Sequence, residues 1–312
     1  MLKYVLKRLG YILVTLWVIV TCTFFMMKNL PGTPFDAERF SIMTPQQQER
    51  VLEMYGLNDS LPMQYVKYIK NMLKGDLGTS FTYVNQDVSK VITGRLGPSA
   101  LIGIQAVLIG LAIGLILGIL AAWKHNSGID YFTMILAVLG VSVPNFVAAA
   151  LLQYYIGLKW GVLPVGFWTG WNCSVLPSIA LSFSATAMVA RFMRTEMLDV
   201  LDQDYIVTAR AKGLSQIKVL MRHAVRNSIL PVVTILGPIV VNLMTGSLAV
   251  ENIFSIPGIG SLFVDCIKAN DYPVIMGITI FYAAFYMLIV LLVDLAYSLI
   301  DPRIRLAKGK ES

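Results

Sequence analysis

Six long apolar runs dominate this sequence, and they decide which solvent the chain folds in. They lie at about 9–27, 99–123, 131–158, 175–192, 229–250 and 274–300. About 18 or more apolar residues with few charges span the roughly 30 Å hydrocarbon core of a bilayer as a helix. The first two runs carry no charge. The third is interrupted only by Pro144 and Asn145, the fourth is rich in Ser and Ala and ends at Arg191, and the sixth holds one carboxylate, Asp294. Composition agrees: 56% of the 312 residues are hydrophobic and only 14% charged. A soluble domain is about 45–50% apolar and about 25% charged, so an ordinary soluble enzyme and a disordered chain are both excluded. The expectation is an all-α polytopic membrane protein with six transmembrane helices.

Lysine and arginine set the orientation, because short cytoplasmic loops are enriched in them. Lys3, Lys7 and Arg8 precede the first run, Lys124 follows the second, seven basic residues lie between Arg191 and Arg226, and Arg303, Arg305, Lys308 and Lys310 close the chain. The two shorter loops of the other side hold only Lys159 and Lys268. Both termini are therefore expected in the cytoplasm, and the net charge of +7 reads as loop bias, with no nucleic-acid partner implied. The first run is too long for a cleavable signal peptide, and Leu30-Pro31-Gly32 is no small-x-small cleavage site. Three cysteines exclude a disulfide scaffold; Cys173 and Cys266 fall on one side, with pairing left open. The expected division is a cytoplasmic N-terminus with the first span (1–30), an extracytoplasmic loop domain (31–98), a five-span core (99–300) with a cytoplasmic loop (194–227) and an outer segment (251–273), and a cytoplasmic tail (301–312).

Two stretches outside the runs carry helix signals. In the first, Thr44-Pro45-Gln46-Gln47 reads as an N-cap, a proline at the first helical position and the glutamine of a capping box, with Gly56 as the stop. Ser60-Leu61-Pro62 opens a second helix, with Tyr65, Tyr68, Ile69, Met72 and Leu73 on one face and Gly75 as its end. This region reads as a small cap on the spans, as a docking surface for an extracellular partner, or as both. The second stretch runs from Asp204, a fair N-cap, to Gly213, a fair C-cap, with Arg210 and Lys212 at the negative end of the helix dipole. A helix of about eight residues is marginal alone in water. It needs either its own bundle or a partner's groove to lie on.

Thr208-Ala209-Arg210-Ala211-Lys212-Gly213-Leu214, then His223-Ala224, Arg226-Asn227 and Leu230-Pro231, resembles the coupling-loop signature of bacterial ABC-importer permeases. The likeness is to the oligopeptide, dipeptide and nickel group, nearest to its B-type oligopeptide permeases. It extends through Leu30-Pro31-Gly32-Thr33-Pro34, Leu73–Ser80, Gly140–Phe146, Ala190–Arg194, Glu251–Gly260, Asp271-Tyr272-Pro273 and Asp301–Arg305, in order and over essentially the whole chain. Two departures stand out. Val207-Thr208-Ala209 occupies the place of the widespread Glu-Ala-Ala, and in Arg95-Leu96-Gly97-Pro98 the proline is shifted by one.

The resemblance implies a type I importer fold and a transport subunit of the bacterial cytoplasmic membrane. Its implied partners are a second homologous permease, two ATPase subunits, an extracytoplasmic substrate-binding protein and a peptide substrate, with dipeptide or nickel as alternative cargo. No cofactor is implied for this chain. ATP and Mg would sit on the partner subunits, and the sequence has no Gly-x-x-x-x-Gly-Lys-Ser/Thr loop. The coupling residues would be Tyr205, Thr208, Ala209, Arg210, Ala211, Lys212, Gly213 and Leu214. Pathway or gate candidates are Ser142, Pro144, Asn145, Phe146, Glu251, Phe254, Pro257 and Gly258. Binding-protein docking candidates are Asp76, Gly78 and Ser80.

Other features weigh less. Gly110, Gly114 and Gly118 form a small-x-x-x-small stripe expected to pack helices. Asp294 is expected to pair with an arginine or backbone donors. His125 and His223 both fall outside the spans, which makes a pathway metal site unfavourable. A secondary transporter would need paired broken helices in two similar halves, and a membrane enzyme would need a nucleophile or metal motif. One proline-broken span, no visible repeat and no HExxH or GxSxG argue against both. A bare structural anchor leaves the cytoplasmic helix-glycine-helix element unexplained.

Overall fold

The computed structural model describes residues 2–29, 40, 42–54, 56–83, 86–244 and 248–300, the side chains of 2–6, 294 and 296–300 excepted. The expected pairing of Asp294, the Leu30–Pro34 motif and the 301–312 tail lie outside what is described. Among the described residues the chain is helical, with one isolated bridge, Thr79 to Asp87, and no strand. The helices are α1 (Leu2–Lys28), α2 (Pro45–Met54), α3 (Leu61–Met72), α4 (Val88–Trp123), α5 (Gly128–Ser142), α6 (Asn145–Leu152), α7 (Val175–Leu201), α8 (Asp204–Ala211), α9 (Gln216–Val219), α10 (Arg226–Met244), α11 (Leu248–Ile253), α12 (Ile259–Lys268) and α13 (Tyr272–Ile300). A π-helical turn, Gln153–Lys159, extends α6, and another, Leu220–Val225, joins α9 to α10.

Among the described residues, five helical stretches are long and apolar enough to cross a membrane: Lys7–Lys28, Val88–Trp123, Trp171–Leu201, Gln216–Ile253 and Tyr272–Val293. The sixth expected span is present in two pieces. Gly128–Ser142 and Asn145–Lys159 meet at a bend of 100°. Pro144 has no N–H to donate back to the preceding turn, and Val143 is extended at φ −82°, ψ 119°. The expected kink at Pro144 is thus a full break. By contrast, α4 starts at Val88 and runs through Pro98 without stopping.

The contacts divide the chain into two compact units, Met1–Gly97 with Gly258–Phe285, and Pro98–Pro257 with Tyr286–Ser312. In the first, Val88, Val91 and Ile92 pack with Ile259, Leu262, Cys266, Val274, Ile275 and Ile278. The expected capping box of α2 forms as written. Thr44 N–H donates to Gln47 Oε1 at 2.9 Å and Gln47 N–H to Thr44 Oγ1 at 3.3 Å. Gly56 and Gly75 end α2 and α3 with φ of +65° and +81°. The hairpin-like turn between Gly78 and Val88 is held by one carboxylate. Asp271 accepts Ser80 Oγ–H and the N–H groups of Phe81 (3.2 Å) and Thr82 (3.0 Å), while also capping α13 through Val274 N–H at 3.4 Å.

The second unit is built around α7. Its small residues let neighbours approach closely. A side chain at Gly110, Gly114 or Gly118 of α4 would meet Ala185, Val189 or Ala190 and Met193 at 2.7–2.8 Å, and one at Gly140 of α5 would meet Ala187 at 3.0 Å. The glycine stripe is therefore a packing surface. All three cysteines are free thiols, and burial, with Asp271 and Asp265 nearby, pushes the Cys266 thiol up to about 12.

Candidate functional site

The site of most interest in the second unit is α8 and its flanks. The helix starts one residue earlier than the sequence suggested. Gln203, extended at φ −79°, ψ 146°, is the N-cap, and its carbonyl accepts Ile206 N–H at 2.9 Å. Asp204 stands instead in the first turn, where its charge favours the dipole. The other end is a Schellman motif. Gly213 N–H donates to Arg210 O at 3.0 Å and Leu214 N–H to Ala209 O at 3.4 Å, with Gly213 at φ +76°. No neighbouring atom crowds Gly213, so backbone conformation alone selects glycine there.

α8 has two faces. Ile206 and Ala209, 0% and 5% exposed, sit in the core cluster with Met193, Met197, Val219, Leu220 and Ala224. Tyr205, Thr208, Arg210, Ala211, Lys212, Gly213 and Leu214 are all exposed. Val207, Leu214, Ile217 and Met221 add exposed apolar surface to the basic Arg210, Lys212, Lys218 and Arg222. So of the coupling residues inferred from sequence, Ala209 faces the bundle and the others face out. The helix is also pinned at its start, because Asn227 Nδ2–H donates to Tyr205 Oη at 2.9 Å. Ser228 Oγ–H donates to Glu196 O at 3.2 Å, which ties the start of α10 to α7.

Behind α8 lies a charge cluster that the sequence reading missed. Asp130, 2% exposed in the first turn of α5, accepts Arg194 Nε–H at 2.6 Å and Nη2–H at 2.8 Å, and Asn126 N–H at 3.0 Å. His125 Nδ1 lies 3.2 Å from both Asp130 and Arg194. This forked pair clamps α5 to α7 about two turns before α7 ends at Leu201. Its partners are 64 positions apart, so no local pattern announces it.

The pathway candidates divide. At the break in the third span, Ser142, Pro144 and Phe146 are exposed and Asn145 is half-buried. An apolar groove of about 930 Å³ lies beside them, but Gly140, Val143 and Ala148 line it rather than those four. Glu251 and Phe254 are buried at 2% and 1% exposure. Glu251 accepts Ser99 Oγ–H at 2.7 Å, and Phe254 O accepts Phe167 N–H at 2.8 Å. Gln153 Nε2–H groups donate to Val165 O (2.6 Å) and Ile253 O (2.7 Å), anchoring this segment to the π-turn. Glu251 and Phe254 act here as anchors of the fold, and neither is exposed on a cavity wall. Pro257 is half-buried and Gly258 buried. Of the docking candidates, Asp76 is exposed and accepts Gly78 N–H at 2.8 Å, whereas Ser80 is fully buried against Asp271. Ser80 therefore shapes the loop from inside.

Residues 114–306 match the family described as binding-protein-dependent transport system inner membrane component, and residues 1–96 match the N-terminal family of the same systems. The chain belongs to this family and is a multi-pass protein of the cytoplasmic membrane. It is 46% identical over 306 residues to the dipeptide transport system permease DppB of Lactococcus lactis, covering 98% of this chain and 100% of that one. Identity to DppB of Bacillus subtilis is 43%, with 99% of each chain covered, and to the oligopeptide transport system permease OppB of Haemophilus influenzae 39%, with 98% and 100% covered. The crystal structure of an amino acid ABC transporter with histidines shares the fold, at TM-score 0.51 and 20% identity, over 69% of this chain and 94% of that chain.

Proposed function

We propose that this chain is a permease subunit of an ATP-driven peptide importer, and that α8 is the helix through which the ATPases move it. The relatives named for dipeptide and oligopeptide transport support a peptide as cargo, with peptide length left to experiment. In this reading a second homologous permease completes the pathway and two ATPase subunits bind ATP and Mg at the α8 side. A substrate-binding protein delivers peptide at the face where residues such as Asp76 and Gly78 lie. Both termini face the cytoplasm, as the basic loops favour.

The observation that carries the proposal is the two-faced attachment of α8. A displacement of the exposed face reaches α7 through Ile206 and α10 through Tyr205–Asn227, and reaches α5 through the Arg194–Asp130 clamp. These elements move as one body, in the manner of rigid-body switching. Coupling also requires that the ATPase grip α8 differently in the two states. The break at Ser142–Asn145 frees backbone carbonyls, which at membrane depth must face protein or water. It fits a pathway wall once the second permease is present. Glu251, Phe254 and Pro257 support that wall from within.

The test is to express the chain with its neighbouring transport genes, purify through a tag on this subunit, and assay ATP hydrolysis with peptide-loaded binding protein. ATPases that copurify, with hydrolysis raised by loaded binding protein, support the reading. Peptide uptake without ATP would replace it with a secondary transporter. A Val207→Glu, Ile217→Glu variant, altered only on the exposed side of the α8 region, is expected to lose the ATPases and keep the second permease.

A further inference from the structure

α3 carries three distinct faces. At 100° per residue, Tyr65, Tyr68 and Met72 share one side, Pro62, Val66, Ile69 and Leu73 share the next, and Gln64, Lys67 and Asn71 share the third. The first side lies on α1. Tyr65 packs on Phe24 and Phe25 with ring centroids 5.4 and 5.7 Å away, and its hydroxyl shares a 2.7 Å hydrogen bond with Thr21. The third side is polar: Gln64 donates to Leu57 O and Asp59 O, and Lys67 pairs with Asp59 at 2.6 Å. The second side is largely open: Ile69 is half-buried, and Pro62, Val66 and Leu73 are exposed. Val66 is 58% exposed and Leu73 78%, and α3 contains no buried residue.

The height of α3 along α1 explains that exposure. Thr21 lies seven residues before Lys28, the end of the first span, which is about 10 Å along a helix axis. The Tyr65 hydroxyl thus reaches α1 inside the apolar span. An interfacial amphipathic helix buries its apolar face about 5–10 Å into the headgroup and acyl boundary, which matches that reach. The bare side of α3 is continuous with the exposed flank of α1, where Trp17, Val18 and Phe25 are also open. A groove of about 480 Å³ fills the corner. Trp17 forms its foot, Tyr65, Val66, Ile69 and Leu73 its walls, and Lys70 and Lys74 its rim. Long lysine side chains reach upward from such a rim to the phosphates.

We infer that α3 is an interfacial helix seated in the leaflet at the Lys28 end of α1. Lipid acyl chains fill the Trp17–Leu73 corner, and Lys70 and Lys74 engage the lipid phosphates. The segment between the first two spans is then held to the bilayer as well as to the protein. This fixes the height of the surface it presents, whatever cargo the transporter carries.

Site-directed spin labelling of the assembled transporter in nanodiscs tests this. In a Cys22→Ser background, nitroxides at Val66→Cys and Leu73→Cys are compared with Lys67→Cys and Asn71→Cys. Collisional relaxation by oxygen reports lipid, and relaxation by a water-soluble nickel chelate reports water. The expected result is an oxygen-to-nickel ratio several-fold higher at 66 and 73 than at 67 and 71. Equal, nickel-dominated ratios would place α3 in water and overturn the inference. Shielding of 66 and 73 from both reagents would mean a protein partner covers the face, and would overturn it equally. In phosphatidylglycerol discs, adding Lys70→Gln with Lys74→Gln is expected to lower the ratio at 73. An unchanged ratio would remove the phosphate contacts from the proposal.

Discussion

α3 and α8 are both short amphipathic helices outside the spans, and both end on a glycine with positive φ, yet they are held in opposite ways. α8 puts Ile206 and Ala209 into the main core of its unit and is pinned by Tyr205. α3 buries no residue, and aromatic ring contacts and one hydroxyl pair hold it to α1. A helix with a buried face transmits force to the bundle behind it. A helix resting on a single span transmits little, and takes its position from whatever lies against its open side. The same local ingredients thus serve as a lever in one unit and as a float in the other.

The strongest way to break this comparison is to remove the lever's root. Ile206→Asp places a carboxylate among Met193, Met197 and Leu220, where burying an unpaired charge costs several kcal/mol. We expect α8 to detach, with amide exchange of residues 204–213 rising by orders of magnitude and ATPase subunits lost on purification. The equivalent change on the open side of α3, Val66→Asp, disturbs no packed core. It is expected to leave α8 exchange and ATPase binding intact.

Next in size is the clamp behind the lever. Asp130→Ala strips Arg194 of its forked partner. Breaking a buried pair costs about 3–5 kcal/mol, and the lower end applies because the Arg194 side chain is 21% exposed. The expected outcome is a lower melting temperature and peptide-stimulated ATP hydrolysis that no longer drives uptake. Arg194→Lys, which keeps the charge and loses the fork, should fall between the two. Unaltered coupling in Asp130→Ala would show that α5 takes no part in the moving body.

Much of this contrast was legible in the sequence because it is local. Five of the spans, the Thr44–Gln47 capping box, and the stops at Gly56, Gly75 and Gly213 each depend on residues close in sequence, and each formed as read. What the sequence hid depends on distant partners or on tertiary override. Pro98 looks like a helix boundary but sits inside α4. Pro144 announces an interruption, but its 100° angle, between two helices that both pack on α7, could not be read from the sequence. Ser80 stands in a motif that resembles a docking surface, yet Asp271, 191 positions away, draws it inside. The Asp130–Arg194 clamp was hidden for the same reason. Of α8 itself, the cap residues gave the helix and its end, while its division into a core face and an outward face needed the fold.

The smallest expected effect separates the two helices most cleanly. Gly75 and Gly213 have φ of +81° and +76°, and neither has a neighbouring atom in the way of a Cβ. Alanine at either site meets the same left-handed backbone strain, about 1–2 kcal/mol. The local cost is therefore matched, and any difference in outcome reflects what each helix end does. In Gly213→Ala the strain falls between α8 and α9, where a displacement must pass without slack. We expect ATP hydrolysis to persist while peptide uptake per ATP falls several-fold. Gly213→Asn, which tolerates this conformation better, should recover part of it. In Gly75→Ala the strain falls at the loose end of α3, and uptake per ATP is expected to remain near that of the unaltered protein. If the two alanine variants lost coupling equally, α3 would have to be part of the moving body. The distinction between lever and float would then fail.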